Sequence, residues 1–210
     1  MKRLRLLGLL LLVSPTHATP LAGAPLSVTP TTDCNKTVCR PALLIQGGFD
    51  RRGALLPAFK AALSQARFPP KVVIFDSFGG NVSDAINLGH FLRKQRLDTH
   101  LRQGDDCQSA CLYAFIGGIN RTISEGSYLG VHQHKSMGEE NTAKISQLLV
   151  RDILIDLMLS QVDRDVLVFV LSNDKVYELS TECSRALNID NTTPAREPKK
   201  SCGEVVLLNQ

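Results

Sequence analysis

Tryptophan is absent and aromatic residues make up only 5% of this 210-residue chain, which excludes the stacked aromatic platforms that hold single-stranded nucleic acid. There is no Cys-x-x-Cys and no close Cys–His group, so a zinc centre lacks its usual ligand spacing and no metal or cofactor is expected. No internal repeat appears. The longest early apolar run, Leu6 to Val13, is too short to cross a bilayer as a mature helix. Charge of one sign is also missing. The chain has 24 basic and 20 acidic residues; three basic ones fall in the first five positions, leaving 21 against 20. A balance that even gives no electrostatic case for nucleic acid or an anionic membrane surface.

What is present begins with a leader. Lys2, Arg3 and Arg5 precede the apolar run, and Pro15-Thr16-His17-Ala18 follows it. This is the pattern of a secretory signal, residues 1–18, with cleavage expected after Ala18 and a second candidate at Ala22-Gly23-Ala24. The six cysteines, Cys34, Cys39, Cys107, Cys111, Cys183 and Cys202, all lie beyond it. An even number in an exported chain reads as disulfides. The simplest pairing is local: 34 with 39, 107 with 111, 183 with 202. A periplasmic or secreted location is therefore expected.

One domain fits the length. Residues 19–41 are expected to form an extended arm or linker, 42–190 the domain and 191–210 a polar tail. Ala42 to Ile45 and Val72 to Phe75 read as buried strands, the latter stopped by Gly79-Gly80. Leu55 to Ala66 and Val82 to Arg96 have helical spacing. Thr99 to Leu101, Ile123 and Tyr128 to Val131 are strand-like, Ala110 to Phe115 suits a buried helix, and Ile145 to Met158 and Asp163 to Leu171 predict further helices. Strands alternating with helices imply βαβ units and a mostly parallel sheet.

Three segments carry chemistry. Phe75-Asp-Ser-Phe-Gly-Gly-Asn-Val82 runs a buried strand through a glycine pair into a helix, where free N–H groups and the helix N-terminus suit a developing oxyanion; it also suits an ordinary tight turn. In Cys107-Gln-Ser-Ala-Cys111, Ser109 precedes a small apolar helix, as a reactive hydroxyl or a plain N-cap. Leu129-Gly-Val-His-Gln133 ends a strand on His132, whose neutral imidazole can accept a hydroxyl proton; a backbone-bonded histidine is the simpler alternative. His134 adds a His-x-His pair, but no further metal ligand joins it.

Together these segments resemble the ClpP family of serine peptidases, particularly its exported members, which carry a DSPGG-V turn, a C-SAC segment and a G-HQ strand end. The resemblance covers roughly Leu43 to Ile189. It implies a single-domain ClpP/crotonase-like α/β spiral of βαβ units, Ser109 as nucleophile and His132 as general base. Gly80, with Gly79 beside it, and Ala110 would supply the oxyanion amides. It also implies a peptide or protein substrate and the option of a homo-oligomer. Two departures stand out. Phe78 replaces the proline of the glycine turn, and the third triad member is out of step. Matching places Leu171 or Asn173 where an acid is expected, and Asp174 is the nearest carboxylate; Asp163, Asp165 and Asp190 are the other candidates. The expected function is an exported serine hydrolase, with a non-catalytic peptide- or partner-binding module as the alternative and acyl-CoA chemistry a distant third.

Overall fold

The computed structural model describes residues 24–35, 38–132 and 177–194. The expected helices at 145–158 and 163–171, the leader, Asn173, Asp174, His134, Cys202 and the tail from residue 195 lie outside the described residues.

Among the described residues are eight strands and four helices. They are β1 (Ser27–Asn35), β2 (Val38–Gln46), α1 (Leu55–Gln65), β3 (Val72–Asp76), α2 (Val82–Lys94), β4 (Asp98–Leu101), β5 (Asp106–Gln108), α3 (Cys111–Phe115), β6 (Arg121–Ile123), β7 (Tyr128–Val131), β8 (Tyr177–Glu178) and α4 (Thr181–Ala186). The larger sheet has the order β1-β2-β3-β4-β6 and the smaller β5-β7-β8. Within the larger one, β2, β3, β4 and β6 are parallel and β1 is an antiparallel addition.

The central strand explains itself. Val72, Val73, Ile74 and Phe75 are all fully buried, as a parallel strand covered on both faces requires. On one face Val73 and Phe75 join Leu43, Ile45 and Leu101 under the helices. On the other, Ile74 and Val72 meet Ala42 and Leu44. Helix α1 buries Leu55, Phe59 and Ala62, a single stripe at helical spacing, and Phe59 meets Phe91 of α2 edge-on at 5.9 Å. Helix α2 starts where Asn81 Oδ1 accepts from Asp84 N at 3.0 Å and stops with Arg93 and Lys94 in its last turn, complementing the macrodipole.

The stretch read as an arm is part of the sheet. β1 pairs with β2 from Ser27↔Gln46 to Asn35↔Val38, so the folded unit starts before Ala42. Its period was hidden because Pro30 and the threonines give no apolar alternation; an edge strand with little to bury has none to show. Cys34 and Cys39 close this hairpin with a disulfide.

A backbone bridge joins the sheets, and an arginine ties β6 to the segment after α4. Ser77, one residue past β3, bridges Cys107 of β5, its N–H donating to Asp106 O at 2.7 Å and its carbonyl accepting from Gln108 N at 2.9 Å. At the far end Arg121, buried at the start of β6, donates to the carbonyls of Gly118, Asn188 and Ile189. Burial, with Arg93 nearby, pulls its pKa down to about 10.

Candidate active site

The glycine turn, the cysteine-flanked serine and the histidine converge at one edge of the smaller sheet. Strands β5 and β7 run parallel with Gln108 opposite Gly130. Ser109 is the first residue after β5 and His132 the first after β7, and Ser109 N donates to Gly130 O at 2.8 Å. Both side chains therefore leave the same ends of neighbouring strands.

Ser109 is not an N-cap. The helix begins after Ala110, with no side-chain cap bond, and none of the described hydrogen bonds occupies the Ser109 hydroxyl. Its backbone lies in the left-handed region, φ 54°, which is costly for a residue with a Cβ. Arg96 and Asn188 share that conformation, but each follows a helix C-cap, where it is routine. Ser109 stands before a helix, so helix termination does not explain it. The constraint is local. Cys107 on β5 and Cys111 at the first turn of α3 are joined by a disulfide across a Cα separation of 5.3 Å, clamping the three residues between them. Phe115, at the other end of α3, packs edge-on against Phe75 at 6.0 Å, fixing the helix against β3.

The glycine turn fits against this elbow. Gly79 and Gly80 have φ 84° and 133°, so the change from proline to Phe78 leaves both in conformations glycine favours. A Cβ on Gly79 would collide with Gln108 O and lie 2.6 Å from Ala110 N. Glycine is thus what lets the turn touch the serine elbow. The two amides differ, however. Gly79 N–H donates to Ser77 Oγ at 3.1 Å, so it is already used, contrary to the expectation that it stands beside Gly80 as an oxyanion donor. Gly80 sits opposite Phe49 in a parallel bridge, in which Phe49 N donates to Gly79 O and Asn81 N donates to Phe49 O. That pattern turns Gly80 N–H away from Phe49, and neither it nor Ala110 N–H is used by any described hydrogen bond.

Ser77 is the residue that sequence reasoning missed. Fully buried, it donates through Oγ to Gly47 O at 2.6 Å while accepting from Gly79 N. One hydroxyl thereby ties the glycine turn to the Gly47 loop, and its backbone ties both to β5. The only signal for it was its position two residues before the glycine pair, where a Ser can bond the backbone of a turn.

Asp190 is engaged elsewhere. It is buried, with Oδ1 accepting from Thr192 N and Oγ1, and Oδ2 from Ile123 N. Beside the elbow, burial first and then Asp76, Asp105 and Glu178 raise the pKa of Asp106. Cys183 is disulfide-bonded. Among the described residues no group of His, Cys, Asp and Glu could hold a metal, and a described groove of about 360 Å³ between the β1–β2 hairpin and residues 66–68 includes none of the site residues.

No family model matches the sequence, and no curated protein matches it. Solved structures do. ClpP1 from Listeria monocytogenes is similar at 14% identity and TM-score 0.56, over 71% of this chain and 88% of that one. A peptidase from Plasmodium falciparum matches at 10% identity and 0.51, over 71% and 93%. A mutant of a membrane-bound stomatin-specific protease matches at 15% identity and 0.51, over 71% and 75%. The chain thus has the ClpP-like α/β fold.

Proposed function

We propose that this chain is an exported serine hydrolase acting on peptides. Ser109 Oγ attacks the scissile carbonyl and His132 takes its proton, then returns it to the leaving amine. The Gly80 and Ala110 amides hold the oxyanion. The observation that carries this reading is the left-handed backbone of Ser109, a strained conformation beside a disulfide at a site whose hydroxyl and two amides enter no described hydrogen bond; such strain gathers at functional positions. The third member of the triad is assigned to Asp174. The signal-like leader and the two disulfides at 34–39 and 107–111 support export, and the mature chain is expected to begin at Thr19.

The test is labelling of disulfide-intact protein by a fluorophosphonate, with the adduct located by mass spectrometry. Trypsin places Ser109 on the peptide 103–121. A label there that vanishes in Ser109→Ala supports the hydrolase. A folded protein that leaves that peptide unlabelled supports instead a binding module on the same fold.

A further inference from the structure

A second serine carries the hydrogen-bond chain that a hydrolytic triad needs. His100 Nδ1 lies 2.8 Å from Asp33 Oδ1, and His100 Nε2 lies 3.0 Å from Ser124 Oγ. The nitrogens are in the productive order: the carboxylate holds Nδ1–H, leaving Nε2 to accept the hydroxyl proton. The three residues come from β1, β4 and the position just after β6. They meet on the sheet face opposite α1 and α2. Along β4, Thr99 and Leu101 point to the buried helix side while Asp98 and His100 alternate with them, and His100 stands level with Ile74 and Thr122.

Two further features match what such a serine requires. Asp33 is held ionised: it is only 7% exposed, and Arg40 reaches its second oxygen at 3.1 Å while bonding Asp98 at 3.0 Å. The hydrogen bond from His100, with help from Arg40, lowers its pKa. The residue after Ser124 is also placed well. Ser127 N donates to Ser124 O at 3.3 Å and Gly126 has φ 77°, a turn whose central N–H groups point outward. Neither Glu125 N–H nor Gly126 N–H enters a described hydrogen bond. Ser124 and His100 are only partly buried, so a small reagent can reach them.

We propose that Ser124, with His100 and Asp33, is a second reactive serine, which takes acyl or phosphonyl groups from small activated esters. The step balances without a co-reactant. Ser124 Oγ forms a bond to the ester carbonyl carbon as its proton passes to His100 Nε2. The bond to the leaving oxygen breaks and that oxygen takes the proton from His100. Water then attacks the acyl-serine with His100 again as base, freeing the acid and restoring the hydroxyl. Ser124 and His100 lie partly exposed on an open sheet face, which a small ester reaches directly.

The experiment uses the full chain carrying Ser109→Ala, so that the proposed first nucleophile is silent, with p-nitrophenyl acetate and a fluorophosphonate as probes. Ser124 lies on the tryptic peptide 122–135, apart from Ser109. The expected result is a label on that peptide, lost on adding Ser124→Ala, and formed about a hundredfold more slowly on adding His100→Gln, the usual worth of a positioned base. Thermal melts confirm that each variant is folded. If His100→Gln does not fold, Asp33→Asn replaces it and should slow labelling at unchanged peptide location. No label on 122–135 in folded Ser109→Ala protein overturns the proposal. So does labelling that is as fast without His100 or Asp33. Because Ser109 is read on a separate peptide in the unmodified chain, failure here leaves the peptide-hydrolase reading standing, and the reverse also holds.

Discussion

The two serines are complementary in what they possess. Ser109 has the strained backbone, the disulfide clamp and two unused amides, but no described hydrogen bond joins its hydroxyl to His132. Ser124 has its base and acid already hydrogen-bonded, but its backbone is not among those in the left-handed region. Stabilising an oxyanion and activating a nucleophile are separable tasks with separate structural costs. Strain at the first site requires a covalent brace, whereas the relay at the second is held by ion pairs that also stitch β1 to β4. An apo site can leave its catalytic hydrogen bond loose until substrate arrives, so the Ser109 arrangement is compatible with the peptide hydrolase proposed for it.

Removing Ser109 is the sharpest way to test that ranking. Ser109→Ala should lower peptide turnover by at least about a thousandfold with little change in Tm, measured by steady-state kinetics and calorimetry; a slight rise in Tm is expected from relief of the left-handed strain only if the new residue relaxes. Ser124→Ala should leave peptide turnover intact, and an equal loss in both would break the comparison.

Ser77→Ala should come next. It leaves Gly47 O and Gly79 N–H without their partner in a fully buried place, at a cost of about 1–3 kcal/mol. Because the glycine turn then loses its tether, kcat should fall about tenfold or more while KM changes little. Ser77→Thr should restore much of the loss. A drop in Tm with kcat untouched would limit Ser77 to a structural role.

Opening the Cys107–Cys111 ring, by Cys107→Ser with Cys111→Ser, removes a small loop worth about 2 kcal/mol. Fluorophosphonate labelling of Ser109 should slow more than that of Ser124, since the ring braces only the first serine. Equal slowing at both positions would show that the ring acts on the whole domain.

The smallest effect belongs to the relay's acid. The pKa of Asp33 is lowered in the folded chain, so the stability it contributes is present above its unfolded value of 3.8 and is lost as pH falls through the lower folded value. Asp33→Asn should therefore destabilise the protein by about 1 kcal/mol near neutral pH, the scale of a partly screened ion pair, and the difference from the parent should shrink in acid. Urea titrations at pH 7 and about pH 3 check the sign.

Much of this was legible in one dimension. Val72 to Phe75 announced a covered parallel strand, α1 and α2 showed their stripes, and the local pairing, the simplest of fifteen, is the one found at 34–39 and 107–111. These are decisions made between near neighbours, where propensity, periodicity and short loop closure act within a dozen residues. The hairpin was not legible, because a threonine-rich edge strand with Pro30 in it shows no apolar alternation to read. Whether Ser109 was a cap or a strained elbow could not be read either, since a φ value follows from what surrounds the residue.

The sequence alone showed β3 and its arrest at the glycine pair, the apolar stripes of α1 and α2, and a strand ending at His132. Only the tertiary structure decided that β5 and β7 are neighbours in parallel register, bringing those two ends side by side. It also decided that Ser77 takes the Gly79 amide and leaves Gly80 and Ala110 open, and that Asp33, His100 and Ser124, separated by 67 and 24 residues, fall on one line. The reason is physical: side-chain alternation fixes which face a residue takes within its own strand, but which strand lies beside it is fixed by burial of distant apolar faces against one another, and no local pattern encodes that partner.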